Sequence, residues 1–367
     1  MERILIVGCG DIAMRVARLL HKDNDGRYRL FGLVRNAARF DELRSLGITP
    51  VLGDLDGAKS LRRLAGLANV VLHFAPPSAG KSLLRPPLTR GGAYSNGKLA
   101  SSPSHSNGKP VGSPPHSNAR LASSPPFHPQ GVRRGVPDAS GITLSQTKGG
   151  QGEFSVTDTR TRNLLAILSQ GILPSRLVYI STSGVYGDCG GAIISETHPL
   201  NAQTARAQRR IDAEQQIRTW ARRNRVHASI LRVPGIYAAD RLPLDRLRVG
   251  TPAIVQEEDS YTNHIHADDL ARIVIAAMHN AKPNRIYHTS DDSQLKMGDY
   301  FDAVADAHHL PRPPRLPRAQ VERAVSPMLW TFMNESRRLT NVRMKRELRV
   351  KLRYPEVENL MREISFD

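Results

Sequence analysis

Two glycines near the start of the chain carry its first chemical signal. Residues 8–13 read Gly-Cys-Gly-Asp-Ile-Ala and directly follow the apolar run from Ile4 to Val7. In such a turn between a strand and a helix, the first glycine permits the tight bend and the second lets a pyrophosphate approach the backbone at the helix N-terminus. The alternative is a glycine-rich turn that binds nothing. We expect dinucleotide phosphates to contact Gly8, Cys9, Gly10, Asp11 and Ile12.

The residues after the second apolar run indicate which dinucleotide binds. Where an acidic side chain would hold the ribose hydroxyls of NAD, this chain has Arg35 and Asn36, with Arg39 one turn later. A guanidinium there pairs with the 2′-phosphate of NADP, and the missing carboxylate removes a contact to NAD. The pattern favours NADP over NAD, the alternative being an ordinary surface arginine. Further cofactor contacts are expected after the third and fourth strands, at Asp54, Leu55, Ala75 and Pro76.

Alternating strand and helix patterns must position these residues. Apolar residues at helical spacing follow the first turn, and the alternation continues to about residue 77 and resumes near residue 158. This order predicts an α/β protein with a doubly wound parallel Rossmann sheet and helices on both faces. We expect a NAD(P)-binding Rossmann domain over 1–235 and a smaller C-terminal substrate-binding part, interleaved with the sheet, over 236–367. The predicted strands are 4–7, 30–34, 51–52, 70–74, 177–180, 227–231 and 285–288, and the main predicted helices are 12–20, 40–46, 61–64, 158–169, 203–222, 269–278 and 297–308.

A low-complexity segment interrupts the alternation. Residues 79–150 are rich in Ser, Gly, Pro and Asn, and three consecutive 11-residue repeats occupy 94–104, 105–115 and 116–126. Proline in every repeat and the lack of an apolar seam argue against a helix or coiled coil. We predict a disordered insertion in the Rossmann domain.

The segment after the fifth predicted strand carries a family motif. It reads Ile-Ser-Thr-Ser-Gly-Val-Tyr-Gly over residues 180–187. This resembles the S-[ST]-x-x-V-Y-G signature of the extended short-chain dehydrogenase/reductases, the NAD(P)-dependent epimerase/dehydratases. Similar matches are the loop at 231–237, the segment Asn-His-Ile-His-Ala-Asp-Asp-Leu at 263–270 and the closing Tyr354-Pro355.

The resemblance implies a catalytic arrangement from which this chain departs. It implies that Thr182 holds the substrate oxygen near the nicotinamide. The family's Tyr-x-x-x-Lys pair is replaced by Arg206 and Arg210. Arg210 can still bind ribose or phosphate, but an arginine at 206 cannot give up a proton. Tyr186 and Tyr237 are candidate proton donors only because they neighbour the site, and the Tyr94–Lys98 match is rejected because it lies in the repeats.

Two classes of function are favoured, and nucleic-acid association through the basic segments 79–150 and 312–353 is a third, disfavoured class. The first is an NADP-dependent oxidoreductase or epimerase/dehydratase-like enzyme that transfers hydride to or from a small polar substrate such as a sugar. The second is a non-catalytic NADP-binding sensor or regulatory protein, for which the missing tyrosine is no loss. The sequence leaves open the substrate, the direction of reaction and whether the chain forms a homodimer.

Charge and composition limit the kinds of partner that the chain is expected to bind. The net charge is +18, of which residues 79–150 contribute +8 and residues 312–353 contribute +9, so the rest of the chain is nearly neutral. Neither basic segment interleaves aromatic residues, and we therefore do not expect nucleic-acid binding. Two cysteines, no leader segment and no run of about 18 apolar residues predict a cytoplasmic protein without membrane association. No metal is expected, because the cluster His264, His266, Asp268 and Asp269 is better explained by Asp268 as a helix N-cap.

Overall fold

The computed structural model describes residues 1–22, 26–78 and 156–366. The repeat segment 79–150, its predicted disorder and the Tyr94–Lys98 match lie outside these described residues.

Seven strands form one parallel sheet, in the order β3-β2-β1-β4-β5-β7-β11. The predicted doubly wound Rossmann sheet is thereby confirmed. The strand order reverses between β1 and β4, and ligands of such sheets bind in the crevice at this switch point. Short parallel pairs β8–β10, β9–β12 and β6–β13 lie beside the sheet. The strands are β1 (Glu2–Val7), β2 (Tyr28–Val34), β3 (Ile48–Leu52), β4 (Val70–His73), β5 (Arg176–Thr182), β6 (Ile193–Ile194), β7 (His227–Val233), β8 (Gly235–Tyr237), β9 (Ala253–Ile254), β10 (His264–His266), β11 (Arg285–His288), β12 (Arg315–Leu316) and β13 (Arg338–Leu339).

Helices cover both faces because each strand is apolar on both sides. In β1, Ile4 and Ile6 point into the cluster that holds α1 and α6, while Leu5 and Val7 point into the cluster that holds α3 and α4. Side chains alternate between the faces of a strand, and this fully buried pattern is typical of parallel sheets. The helices are α1 (Asp11–Lys22), α2 (Phe40–Ser45), α3 (Thr159–Leu168), α4 (Ala205–Asn224), α5 (Leu244–Arg248), α6 (Ala267–Asn280), α7 (Met297–Ala307), α8 (Arg318–Ala324), α9 (Pro327–Met333), α10 (Val342–Leu348) and α11 (Val357–Phe366).

Two local predictions differ from the structure. The segment predicted as a helix near residues 61–64 is a 3₁₀ helix over Ala58–Leu64. Asp268 is not the N-cap of α6: the Nδ1 atom of His266 accepts the backbone N–H of Asp268 at 3.2 Å. Asp268 lies in the first turn and pairs with Arg15 instead, at 2.6 Å. An imidazole acceptor two residues earlier satisfies the free N–H that a capping carboxylate would otherwise take.

A separate apolar cluster fills the C-terminal part. It joins α5, α7, α8, α9 and α11 around buried residues such as Phe301 and Met333. The carboxylate of Asp269 in α6 accepts the backbone N–H groups of Arg353 and Tyr354, which fixes the closing segment. The division at residue 235 stays a prediction, since β11 returns to the main sheet. Among the described helices, none has the length and apolar character required to cross a bilayer.

Candidate functional site

The turn between β1 and α1 has the geometry that a bound pyrophosphate requires. Gly8 has φ +92°, and a Cβ atom there would lie 2.6 Å from the backbone nitrogen of Ala75. At Gly10, an added Cβ would meet no protein atom within 4 Å. The first glycine therefore lets the ends of β1 and β4 approach, and the second faces open space at the N-terminus of α1. These residues fit the phosphates of a dinucleotide.

A cleft of about 520 Å³, here the first cleft, begins at this turn. It extends along the carboxyl ends of β2, β3, β4 and β5 and reaches Ile236 and Arg241. The structure brings all twelve predicted cofactor-contact residues to its wall. They are Gly8, Cys9, Gly10, Asp11, Ile12, Arg35, Asn36, Asp54, Leu55, Ala75, Pro76 and Arg210.

The polar residues at the end of β2, namely Arg35, Asn36 and Arg39, differ in their hydrogen-bond partners. Arg39 donates two hydrogen bonds of 2.9 Å to Glu42 and one to the carbonyl of Cys9. The Asn36 side chain accepts the backbone N–H of Ala38 and begins a short 3₁₀ helix. Arg35 is exposed at the cleft wall and forms no ion pair or hydrogen bond with any side chain in the described ranges. Arg35 is therefore available to an anionic ligand.

The end of β3 adds a polar edge to the first cleft. The Asp54 carboxylate accepts the backbone N–H of Asp56, and Leu55 is buried beneath it. Arg160, which the sequence did not single out, also lines the cleft and pairs with Asp56 at 2.6 Å. Arg160 lies in the first turn of α3, which follows the insertion in the sequence. No local sequence pattern therefore indicates that it lies close to the end of β3.

The two arginines predicted to stand in place of the Tyr-x-x-x-Lys pair have different surroundings. Arg210 is buried, and its Nη1 donates to the carbonyl of Ile180 at 2.7 Å and to the hydroxyl of Tyr179 at 2.9 Å. Its Nε has no hydrogen-bond partner among the residues that the structure describes. Arg206, one turn earlier in α4, forms no hydrogen bond or ion pair with the residues that the structure describes. Desolvation and the neighbouring Arg210 charge lower the pKa of Arg206.

A second cleft of about 380 Å³ adjoins the first, and Ile236 and Arg241 line both. It lies between the end of β5, the start of α4 and the C-terminal part of the chain. Its polar lining was largely missed by sequence analysis, because the residues come from distant segments. The lining residues used below are Thr182, Arg206, Arg241, Arg246, His264, Tyr300, Phe301, Leu329, Phe332, Glu335 and Arg337.

Thr182 is the predicted catalytic residue that the structure places at a cleft. Its Oγ1 accepts the backbone N–H of Gly184 at 3.2 Å and begins a 3₁₀ helix over Ser183–Tyr186. A hydroxyl that accepts one hydrogen bond can still donate its own proton. Thr182 is therefore able to donate to an oxygen atom in the second cleft.

The two predicted tyrosines lie in the interior. The Tyr186 hydroxyl accepts from Arg232 at 2.6 Å and lies 2.6 Å from Nε2 of His288, and burial raises the pKa of Tyr186 to about 12. The Tyr237 hydroxyl contacts the carbonyl of Glu356, and burial raises its pKa as well. Neither residue is part of the lining of the two clefts. The catalytic role of both stays a prediction.

A buried ion pair holds Tyr186 in place. Arg232 of β7 pairs with Glu214 of α4 at 2.7 Å, and both side chains are only 3% exposed. Glu214 also accepts the hydroxyl of Ser181 in β5. The network joins β5, β7, α4 and Tyr186. The hydrogen bonds of Tyr186 are therefore part of the packing between these elements.

Other candidate chemistry is not supported by the geometry. Burial raises the pKa of the Cys9 thiol to about 12, which keeps it protonated. In the described part of the chain, no group of three or more ligand-type side chains could hold a metal ion. His264 stacks on Tyr300 with ring centroids 4.1 Å apart, and burial lowers its pKa to about 3.

The sheet order and the glycine turn define a Rossmann-type dinucleotide-binding fold, and comparison with known proteins agrees. Residues 157–289 match the model of the NAD dependent epimerase/dehydratase family. No curated protein matches the chain significantly in sequence.

Solved structures extend the likeness over the whole chain. A functionally unknown conserved protein from Silicibacter pomeroyi DSS is 22% identical, with a TM-score of 0.65 and coverage of 100% of this chain and 99% of that one. A dTDP-glucose 4,6-dehydratase from Bacillus anthracis str. Ames in complex with NAD is 12% identical, with a TM-score of 0.63 and coverage of 100% and 96%. A UDP-glucuronic acid 4-epimerase from Bacillus cereus, in complex with UDP-glucuronic acid and NAD, is 14% identical, with a TM-score of 0.62 and coverage of 99% and 98%.

These identities show a shared fold. The resemblance drawn from the motifs is confirmed by the match of residues 157–289 to the model of the NAD dependent epimerase/dehydratase family.

Proposed function

We propose that this chain is an NADP(H)-dependent oxidoreductase of the epimerase/dehydratase type, acting on a small polar substrate. The observation that carries the proposal is that the first cleft, which begins at the Gly8–Gly10 turn, adjoins the second cleft, which Thr182 lines. A dinucleotide along the first cleft would present its reactive end to a substrate in the second.

Different residues of the chain would bind different parts of the cofactor. The Gly8–Gly10 turn would hold the pyrophosphate, Arg35 the 2′-phosphate, and Arg210 the ribose nearest the substrate. When bound, the nicotinamide supplies or accepts a hydride at its C4 carbon. The absence of an acidic residue at 35 and 36 supports the preference for NADP over NAD.

Thr182 would orient the substrate oxygen by donating its hydroxyl proton in a hydrogen bond. Arg206 occupies the position of the family's tyrosine, yet it remains protonated and cannot serve as the acid. The hydroxyls of Tyr186 and Tyr237 are engaged in the interior. The proton is therefore expected to reach the substrate oxygen from water in the second cleft.

The test combines cofactor binding with turnover. Calorimetry should show NADPH binding to the full chain, and a panel of carbonyl compounds should identify one that consumes NADPH. Thr182→Val should then lower kcat by about 100-fold with little change in NADPH affinity, as for loss of one donor to a developing oxyanion. Thr197→Val, an exposed threonine away from both clefts, is the matched control. Unchanged turnover in Thr182→Val would reject the role of this hydroxyl.

A non-catalytic NADP sensor is the second candidate. The observation that favours it is the pair Arg206 and Tyr186, since the first cannot donate a proton and the second is locked between Arg232 and His288. Tight NADPH binding without hydride consumption across the panel would favour this candidate over the enzyme.

A further inference from the structure

The second cleft carries an excess of positive charge. Four arginines line it against one acidic side chain, Glu335. Arg241 is neutralised by Asp11 at 2.8 Å, and Arg337 by Glu335 at 2.7 Å. Within the described residues, the remaining two guanidiniums, those of Arg206 and Arg246, have no carboxylate partner.

Leaving Arg246 without a counterion costs more free energy than leaving Arg206 without one, because Arg246 is less exposed. It projects from α5, and its guanidinium lies 4.1 Å from the centroid of the Phe301 ring. Its hydrogen-bond partner is the thioether sulfur of Met333 at 3.9 Å, a weak acceptor. Burial lowers the pKa of Arg246 to about 10. A partly buried charge without a counterion is unfavourable unless a ligand supplies one.

Arg206 lines the same cleft from a different element, the first turn of α4. Arg210 lies one turn further along the helix, so like charges repel there and neither arginine neutralises the other. Arg210 is satisfied by Tyr179 and Ile180, whereas Arg206 is not. An anion in the cleft would relieve this repulsion.

The same cleft is also lined by apolar and aromatic residues. Tyr300 and Phe301 of α7 form one side, and Leu329 and Phe332 of α9 form another. Phe332 is 54% exposed, which is unusual for a phenylalanine. The cleft thus combines unpaired cations with ring surfaces.

We propose that the second cleft binds an organic anion: a carboxylate or phosphate held by Arg206 and Arg246, attached to an apolar or aromatic body that packs on Leu329 and Phe332. The assignment names the substrate class of the proposed oxidoreductase and rests on that function for its role in turnover. Anion binding itself does not depend on turnover.

The experiment measures binding of three probes of similar shape to the full chain by calorimetry. The probes are 3-phenylpropanoate, phenyl phosphate and the neutral 3-phenylpropan-1-ol. Wild-type protein is compared with Arg206→Gln and Arg246→Gln, each tested for folding by circular dichroism. The matched controls are Arg222→Gln, about 24 Å further along α4, and Arg248→Gln in α5, where the arginine pairs with Asp245 away from both clefts.

The expected result is that both anions bind and the alcohol does not. Each cleft variant should weaken anion binding about 10-fold to 100-fold, as for loss of a hydrogen bond to a charged group, and the controls should change it less than about twofold. The tighter of the two anions identifies the headgroup. Binding should also fall as salt rises from low to physiological concentration.

Several outcomes would overturn the proposal. They are equal binding of the alcohol, equal loss in the control variants, or anion binding that both cleft variants retain. If Arg246→Gln fails to fold because it loses its packing on Phe301, Arg206→Gln and the salt dependence still decide. NADPH titration is run on the same samples. Anion binding without NADPH binding would reject the proposed oxidoreductase while leaving the anion site intact.

Discussion

Cofactor preference can be tested at Arg35. The variant Arg35→Ser removes the exposed guanidinium at the end of β2 while keeping the strand and the Asn36 cap. Because Arg35 has no partner among the described residues, its loss leaves no internal acid uncompensated. The folded state should therefore be as stable as that of the wild type.

The expected change in binding follows from what Arg35 would contact. A hydrogen bond to a charged group contributes about 1.5–3 kcal/mol, which corresponds to a loss of about 10-fold to 150-fold in NADPH affinity. NADH lacks the 2′-phosphate and should bind the variant as it binds the wild type. Arg39 cannot compensate, because it is held by Glu42 and the Cys9 carbonyl.

The assay is calorimetric titration with NADPH and NADH at two salt concentrations. Arg44→Ser serves as the control, because Arg44 lies on α2, pairs with Asp41 and faces neither cleft. The reasoning would be refuted if Arg35→Ser weakened both nucleotides equally, or if NADPH affinity were unchanged. The first result would place Arg35 at a shared part of the cofactor, and the second would leave it an ordinary surface residue.

Two further variant pairs test the turn and the core. Gly8→Ala should destabilise the fold by about 1–3 kcal/mol, because residue 8 has a positive φ and the new Cβ would contact Ala75. Gly10→Ala should leave the stability unchanged and weaken NADPH binding. If Gly10→Ala bound NADPH as tightly as the wild type, the assignment of this turn to the phosphates would be contradicted. Glu214→Gln should cost about 3–5 kcal/mol in urea unfolding, because it leaves Arg232 buried and unpaired. Asp245→Asn, which breaks an exposed pair, should leave the free energy of unfolding nearly unchanged, and an equal loss of stability in both variants would refute the reasoning.

The sheet was predictable because its signal is local. Most strands of the main sheet contain an apolar run, and helices such as α1 and α6 carry an apolar stripe, so periodicity indicates the alternation. The short strands after residue 235 are different. β9 and β12 have two residues each and are defined by their pairing, as are β6 and β13. No local pattern of two residues can indicate a partner far along the chain.

The first cleft was predictable for a related reason. In a parallel Rossmann sheet the turns after β1, β2, β3 and β4 meet at one edge, so residues that end consecutive strands must share a cleft. The second cleft follows no such rule. Arg246 and Arg337 come from loops and short helices beyond the sheet, and only the tertiary packing brings them to Arg206.

Tyr186 shows why proximity in a motif does not define a role. The motif places this tyrosine four residues after Thr182, which suggests a shared site. Yet Ser183–Tyr186 form one 3₁₀ turn, and the Tyr186 hydroxyl lies outside the lining of the second cleft, where it contacts Arg232 and His288. Releasing the Tyr186 proton would leave a buried phenolate whose raised pKa makes it unfavourable at neutral pH. Arg206, at the position predicted for the family's tyrosine, and Arg246 both line the second cleft without a carboxylate partner among the described residues, and for this reason we propose a substrate that carries its own negative charge.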